Sequence, residues 1–384
     1  MRVLALVKSA DDVCYRYRLE AFAWTLAEQG LLMEAQPLHR GVRRLGQLWA
    51  TSRADLVILQ RHLLRLPEWL LLRRRARRLI YDVDDALFLR DSYHPRGERS
   101  DWRMFHFWTT IFGADAVLAG NPFLAEFAAR FTDRDRVMTM PTCVDPRRYQ
   151  TARHLRRGAA VRLAWIGQSS TLRSLDVAQP QLRAAAACLP GLRMRVICDR
   201  LARVPGMRME FCAWSSQSEA EDLAGSDIGV NWLPADRWSE GKCGLRVLQY
   251  MAAGLPVVAN PVGMNRTMVI DGETGFLAET PADWAAAIER LALDPALRRQ
   301  MGAAGRRLLE QHYNIEGWGP RLARFIRQVA IGGNGQLDGA RLDGARLDGA
   351  RRPEPRRVAR SHDYPPRPRG AAAGARVAAE REQG

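Results

Sequence analysis

Along the chain, short apolar runs alternate with longer stretches in which apolar residues recur every three or four positions. The short runs read as buried strands and the periodic stretches as amphipathic helices, and their alternation predicts parallel sheets with crossover helices. The first set of strands is expected at 3–7, 56–59, 79–81, 116–118 and 137–140. After a polar stretch the pattern restarts at 162–166, 193–197, 209–212, 228–231 and 257–259. The fold class is therefore α/β: two Rossmann-like doubly wound domains at 1–150 and 161–331, joined by a linker at 151–160. In such sheets ligands sit beyond the carboxyl ends of the strands, at helix amino termini, so the expected site is the cleft between facing domains. Residues 306–331 read as carboxy-terminal helices, the last crossing back to the first domain.

From about Gly332 the periodicity stops. Leu-Asp-Gly-Ala-Arg repeats three times between Leu337 and Arg351, followed by Pro, Arg and Ala. Such a composition buries no core, which predicts a disordered tail at 332–384. The chain has 384 residues, 47% hydrophobic and 26% charged, enough for two ordinary globular cores elsewhere. The stretch from Met1 to Lys8 has too few apolar residues between its charges for a signal-peptide core, and no segment approaches the roughly 20 apolar residues that span a bilayer. Six scattered cysteines with no C-x-x-C pair argue against a disulfide scaffold or a cysteine zinc site, and for a reducing cytoplasm.

The formal net charge is +16, which raises nucleic-acid binding as a charge-based alternative. The tail holds 11 Arg against 7 Asp or Glu, leaving +12 on the folded part. Only two of the 58 basic side chains are lysines, Lys8 and Lys242, so the arginine excess reads as compositional background and no nucleic-acid partner is expected.

The informative stretch is 238–277, WSEGKCGLRVLQYMAAGLPVVANPVGMNRTMVIDGETGFL. Gly241 and Gly244 flank Lys242-Cys243 just before a helical run at 245–253, so free backbone N–H groups and a lysine collect at a helix start. Phosphate oxygens bind well at such a place. Gly254 and Leu255-Pro256 then stop the helix. A plain helix–strand unit accounts for the stops but not for the lysine between two glycines.

This stretch resembles glycosyltransferase family 4, the retaining GT-B enzymes, whose pattern is approximately E-G-F-G-L-P-x-L-E-A-M-A-x-G-x-P-V-V-A. A subset of that family looks like G-K-C-G-x-x-x-x-Q-Y-M-A, as found here from Gly241 to Ala252. Asp271-Gly-Glu-Thr-Gly-Phe-Leu277 resembles its D-G-x-T-G-x-L. The resemblance implies a GT-B fold and transfer of a hexose from a nucleotide-diphosphate sugar to the hydroxyl of a glycan, lipid-linked or small-molecule acceptor, with no metal or other cofactor. It places Lys242, Cys243, Gly244 and Leu245 around the diphosphate and sugar, with Asn260 to Asn265 as the adjoining loop. Gln249 stands where the family's second glutamate holds the ribose, and can both accept and donate, but without charge. Eight residues separate Glu240 from Gln249, against the family's seven, so Gly241 takes the first glutamate's aligned position. Glu240 is carried as a catalytic candidate on its proximity. The family's G-R-x-x-x-x-K is reduced here to Gly167, Gln168 and Arg173; Arg173 would touch the diphosphate, and the other reading is a helix N-cap.

Three further groups belong to the first domain. Asp82-Val-Asp84-Asp85 follows a strand and should face the cleft; Asp84 and Asp85 either hydrogen-bond the sugar as catalytic groups, or Asp82 or Asp85 caps the next helix. Lys8 and Arg16, near the first strand's end, are acceptor-side candidates, Arg16 also reading as a solvated helical turn. Trp69 to Arg78 joins an apolar run to five arginines, which either dock on an anionic membrane surface, at the inner face of the cell membrane, or end an ordinary helix. Trp214 reads as a stacking partner for a nucleobase or as core. A GT-B epimerase and a catalytically silent nucleotide-sugar binder are the remaining alternatives.

Overall fold

The computed structural model describes residues 1–332. The expected tail, apart from Gly332, lies outside them. Two six-stranded, all-parallel sheets carry the fold. The first contains β1 (Arg2–Val7), β2 (Leu32–Pro37), β3 (Leu56–Gln60), β4 (Leu79–Val83), β5 (Ala116–Ala119) and β6 (Val137–Thr139), in the order β2-β1-β3-β4-β5-β6. The second contains β7 (Arg162–Ile166), β8 (Arg193–Cys198), β9 (Arg208–Ala213), β10 (Ile228–Asn231), β11 (Val257–Ala259) and β12 (Gly275–Leu277), in the order β12-β11-β10-β7-β8-β9.

The apolar runs mark every inner strand, with β3, β4 and β5 buried throughout, and also the edge strands β6 and β9. The hydrophobic pattern gives no sign of β2. It lies at the sheet edge with Glu34 and Gln36 in its sequence and half of its residues open to solvent, so nothing forces an apolar run there.

One face of the first sheet is covered by the helices Val42–Ala50, Leu66–Arg75, Asp101–Gly113 and Pro122–Ala128, which contribute Leu48, Trp69, Leu72, Phe107, Ile111 and Phe127 to a single core. The other face packs on Ala23–Glu28 and on the carboxy-terminal helix Ile315–Ile331, whose Trp318, Leu322 and Ile326 join Phe22 and Leu26. That last helix, grouped with the second domain in chain order, belongs by packing to the first sheet. It closes the fold by returning the chain to its start.

After β4 no helix begins until Ser100 caps Asp101–Gly113 by accepting from the Arg103 N–H at 3.4 Å. The reading of Asp82 or Asp85 as a helix cap is therefore corrected: the chain from 84 to 100 is a long loop at the carboxyl end of the sheet. Among the described residues no helix is long and apolar enough to cross a membrane.

Candidate functional site

The carboxyl ends of the two sheets enclose a cavity of about 720 Å³ lined from both sides. Its second-sheet wall is built on the Gly241–Leu245 turn. Gly244 caps the Leu245–Ala252 helix with φ +72°, a left-handed conformation suited to glycine, and a Cβ there would press on Met264 and Met268. Gly241 is set against the opposite wall, where a Cβ would come within 2.7 Å of Ala86. The turn is clamped across the cleft. Asn121 Nδ2 donates to the carbonyls of Glu240 (3.0 Å) and Lys242 (3.1 Å), and Cys243 Sγ donates to the Asp84 carbonyl at 3.1 Å.

On the first wall each cation has a carboxylate. Arg18 Nε donates to both oxygens of Asp82 (3.0 and 3.1 Å), which also accepts from Gln60 Nε2 at 3.0 Å. Burial opposes the Arg18 charge, but Asp82 outweighs it and holds the guanidinium pKa up. Arg61 Nη1 is 2.9 Å from Asp84 and its Nη2 pairs with Asp85. Lys242 Nζ reaches across to Asp85 at 2.9 Å and lies 4.8 Å above the Trp238 ring. Burial pushes the Asp84 carboxyl up, with Arg61 opposing. Burial acts on Asp85 too, but Lys242 and Arg61 hold it below the usual carboxylate range.

A second cluster joins the walls further along. Glu219, 2% exposed, accepts from Arg16 Nη2 (3.2 Å), Tyr17 Oη (2.6 Å), Tyr149 Oη (3.0 Å) and Trp214 Nε1 (2.9 Å). Gln249 Nε2 donates to Tyr17 Oη at 3.2 Å.

The second wall holds two arginines without a carboxylate partner among the described residues. Arg173 Nη1 donates to the Tyr93 carbonyl at 3.2 Å, with its guanidinium 5.1 Å from the Tyr93 ring centroid. Arg246 donates from Nε to the Ile166 carbonyl (2.5 Å) and from Nη1 to Asn231 Oδ1 (2.6 Å), and stacks 4.5 Å over Trp165. Its Nη2 sits beside Gly167, where a Cβ would come within 2.9 Å. Burial lowers the Arg246 pKa, and no carboxylate is among the groups that oppose the shift. A cation so placed attracts an anion.

Of the residues singled out in the sequence, Lys8, Asp84, Asp85, Gly167, Arg173, Lys242, Cys243, Gly244, Leu245 and Gln249 all line the cavity, as does Trp214. Two expectations are corrected. Glu240 does not line it; its carboxylate turns to Arg266 Nη2 and the Gly263 N–H, both at 3.4 Å. Arg16 is drawn off the lining by Glu219. The loop from Asn260 to Asn265 adjoins the Gly241–Leu245 turn, with Met264 beside Gly244, and is braced from behind: Asn260 binds both the N–H and the carbonyl of Leu233, and buried Asn265 accepts from Asn231. Sequence reasoning passed over Arg246, Arg61, Tyr17 and Glu219. Among the described residues no group of three or more His, Cys, Asp or Glu is placed to hold a metal ion.

The family model described as Glycosyl transferases group 1 matches residues 230–308, the segment that builds the second wall. Anabaena HepE in complex with UDP and glucose superposes on 85% of this chain and 100% of its own, with a TM-score of 0.63 and 14% identity. The fold is GT-B. Among curated relatives, the D-inositol 3-phosphate glycosyltransferase of Arthrobacter sp. (strain FB24) is 40% identical over 87 residues, covering 22% of this chain and 20% of that protein. Its counterpart in Nocardioides sp. (strain ATCC BAA-499 / JS614) is 28% identical over 223 residues, covering 50% and 48%. The chain thus spans between a fifth and half of the length of these curated relatives.

Proposed function

We propose that this GT-B chain is a glycosyltransferase related to family 4, which transfers a hexose from a nucleotide-diphosphate sugar to an acceptor hydroxyl with retention. The observation that carries the reading is the second wall. Arg246 and Arg173, neither with a carboxylate partner, flank Gly167 and the left-handed Gly244 turn inside the interdomain cavity. Arg246 Nη2 and Arg173 would hold the diphosphate, and Gly167 gives its oxygens room to approach. Gln249 would take the ribose, exchanging its bond to Tyr17 for the hydroxyls. Lys242 and Leu245 would border the sugar, with Asp84 and Asp85 facing its hydroxyls from the first wall. Arginines around the departing diphosphate stabilise its charge, and a diphosphate oxygen takes the acceptor's proton on the same face, so no separate side-chain base is needed. The acceptor, a glycan, a lipid-linked sugar or a small molecule, would enter from the first-sheet side near Lys8. Six free cysteines fit work in a reducing cytoplasm.

A thermal-shift screen of UDP-, GDP- and ADP-sugars tests the reading, followed by product analysis with and without acceptor. Stabilisation by one of them and sugar transfer to an acceptor are expected. No response to any of the three sinks the donor site, an epimerised donor assigns the site to an epimerase, and binding without turnover assigns it to a silent binder.

A further inference from the structure

The second feature of note lies outside the cleft, on the outer surface of the helical layer over the first sheet. Asp101–Gly113 is apolar on nearly every side. Its inward face, Phe107, Thr110 and Ile111, is buried in the core, yet Trp102, Phe105, Trp108 and Phe112 point outward and are 52%, 44%, 39% and 68% exposed. At positions 102, 105, 108 and 112 they form one stripe of a 3.6-residue helix. Successive rings touch along it, Phe105 to Trp108 at 5.9 Å and Trp108 to Phe112 at 6.0 Å.

The neighbouring helices extend the stripe. Leu66–Arg75 exposes Leu66 and Leu70, and Val42–Ala50 exposes Val42, Leu45 and Trp49. These three helices thus carry nine of the seventeen exposed large hydrophobic side chains among the described residues, in about a tenth of their length. The layer is also basic. Its helices hold six arginines against two acids; Arg44 is paired with Glu68 at 3.0 Å and Arg73 with Asp115 at 3.3 Å, and Arg43, Arg74, Arg75 and Arg103 have no carboxylate partner among the described residues. Trp69 and Leu72 point into the core, so Leu66–Arg75 is an ordinary buried helix on that side; its outward side is what joins the patch.

We propose that this face docks on an anionic lipid bilayer, the aromatic stripe of Asp101–Gly113 entering the headgroup boundary and the arginines meeting lipid phosphates. Tryptophan and phenylalanine beside arginine suit that boundary, where one side of the surface is apolar and the other charged. A second copy of the chain is a poorer occupant, because two-fold pairing sets arginines against arginines. The position also has a use. The Asp91–Pro95 segment that lines the cavity leads directly into this helix, so docking holds the cavity mouth near the membrane surface. The inference is independent of which donor the cleft takes.

Co-sedimentation of the full chain with phosphatidylcholine vesicles, with and without about 30% phosphatidylglycerol, tests it. Binding to the anionic vesicles at least about tenfold tighter than to the neutral ones is expected, and a triple variant, Phe105→Ser, Trp108→Ser and Phe112→Ser, should lose about tenfold or more of it. The variant keeps the Arg-rich carboxy-terminal segment, so any attraction that segment supplies is unchanged. Phe112→Ser alone, at the most exposed ring, keeps the test open should the triple variant misfold, and should weaken binding measurably. Equal binding to neutral and anionic vesicles, or undiminished binding by a folded variant, overturns the proposal. A wild-type dimer that the substitutions dissociate overturns it in favour of self-association.

Discussion

The two walls of the cleft sit on sheets of the same kind yet treat charge in opposite ways. On the first wall Arg18 and Arg61 are neutralised by Asp82, Asp84 and Asp85, and Lys242 crosses over to complete the set. On the second wall Arg173 and Arg246 face the cavity with only carbonyls, an amide oxygen and aromatic rings around them. A buried charge with its partner is part of the scaffold, because removing either member strands the other. Arg173 reaches the cavity from an exposed position, and Arg246 is largely withdrawn from water with no carboxylate beside it; a cation held in that way is explained by the anion it receives. Paired charge thus reads as architecture and unpaired charge as recognition.

Substitutions on the two walls should accordingly differ in kind. The largest effect is expected from Asp82→Ala, which leaves the buried Arg18 guanidinium without its carboxylate; a loss of about 3–5 kcal/mol in stability, read from the urea unfolding midpoint, follows. Arg246→Ala should act on binding instead. Losing charge-assisted hydrogen bonds worth about 1.5–3 kcal/mol weakens a nucleoside diphosphate roughly ten- to a hundredfold, with the melting temperature of the free protein little changed. A large stability loss in Arg246→Ala with unaltered binding would erase the contrast between the walls. Lys242→Ala is intermediate. Its ammonium is already committed to Asp85, so calorimetry should show a smaller affinity loss than for Arg246→Ala, about 1 kcal/mol.

The smallest effect is on pH dependence. Burial lowers the pKa of both His62 and His154, and His154 Nε2 lies 2.8 Å from the Gly254 carbonyl. Both stay neutral in the fold below the pH at which the unfolded chain takes up protons, near 6.5. Their contribution is present above that pH and is lost as pH falls towards the folded-state values. The melting temperature should decline between pH 7 and pH 5, and a His154→Gln variant should decline less.

The fold was legible where it is local. Inner strands declare themselves by apolar runs, and the Gly241–Gly244 turn by glycines around a lysine, because in both cases the cause lies within a few residues. Edge strand β2 escaped because its solvent-facing positions relax the pattern. The cross-cleft groups escaped for another reason: Tyr17 and Glu219 are 202 residues apart, and nothing local marks either of them. Arg246 was hidden by abundance, since one arginine in a chain so rich in them is no signal; what distinguishes it is the missing carboxylate, a property of the assembled site. Glu240 shows the converse, a residue next to the motif whose side chain the fold turns away.

Calorimetric titration of the wild type and Arg246→Ala with UDP, GDP and ADP, each beside its parent nucleoside, tests the central claim most directly. At least one diphosphate should bind the wild type, and Arg246→Ala should lose most of the diphosphate's advantage while leaving the nucleoside's affinity unchanged. Equal losses for diphosphate and nucleoside, or no loss at all, would contradict the assignment of the second wall as the phosphate-binding side of the cleft.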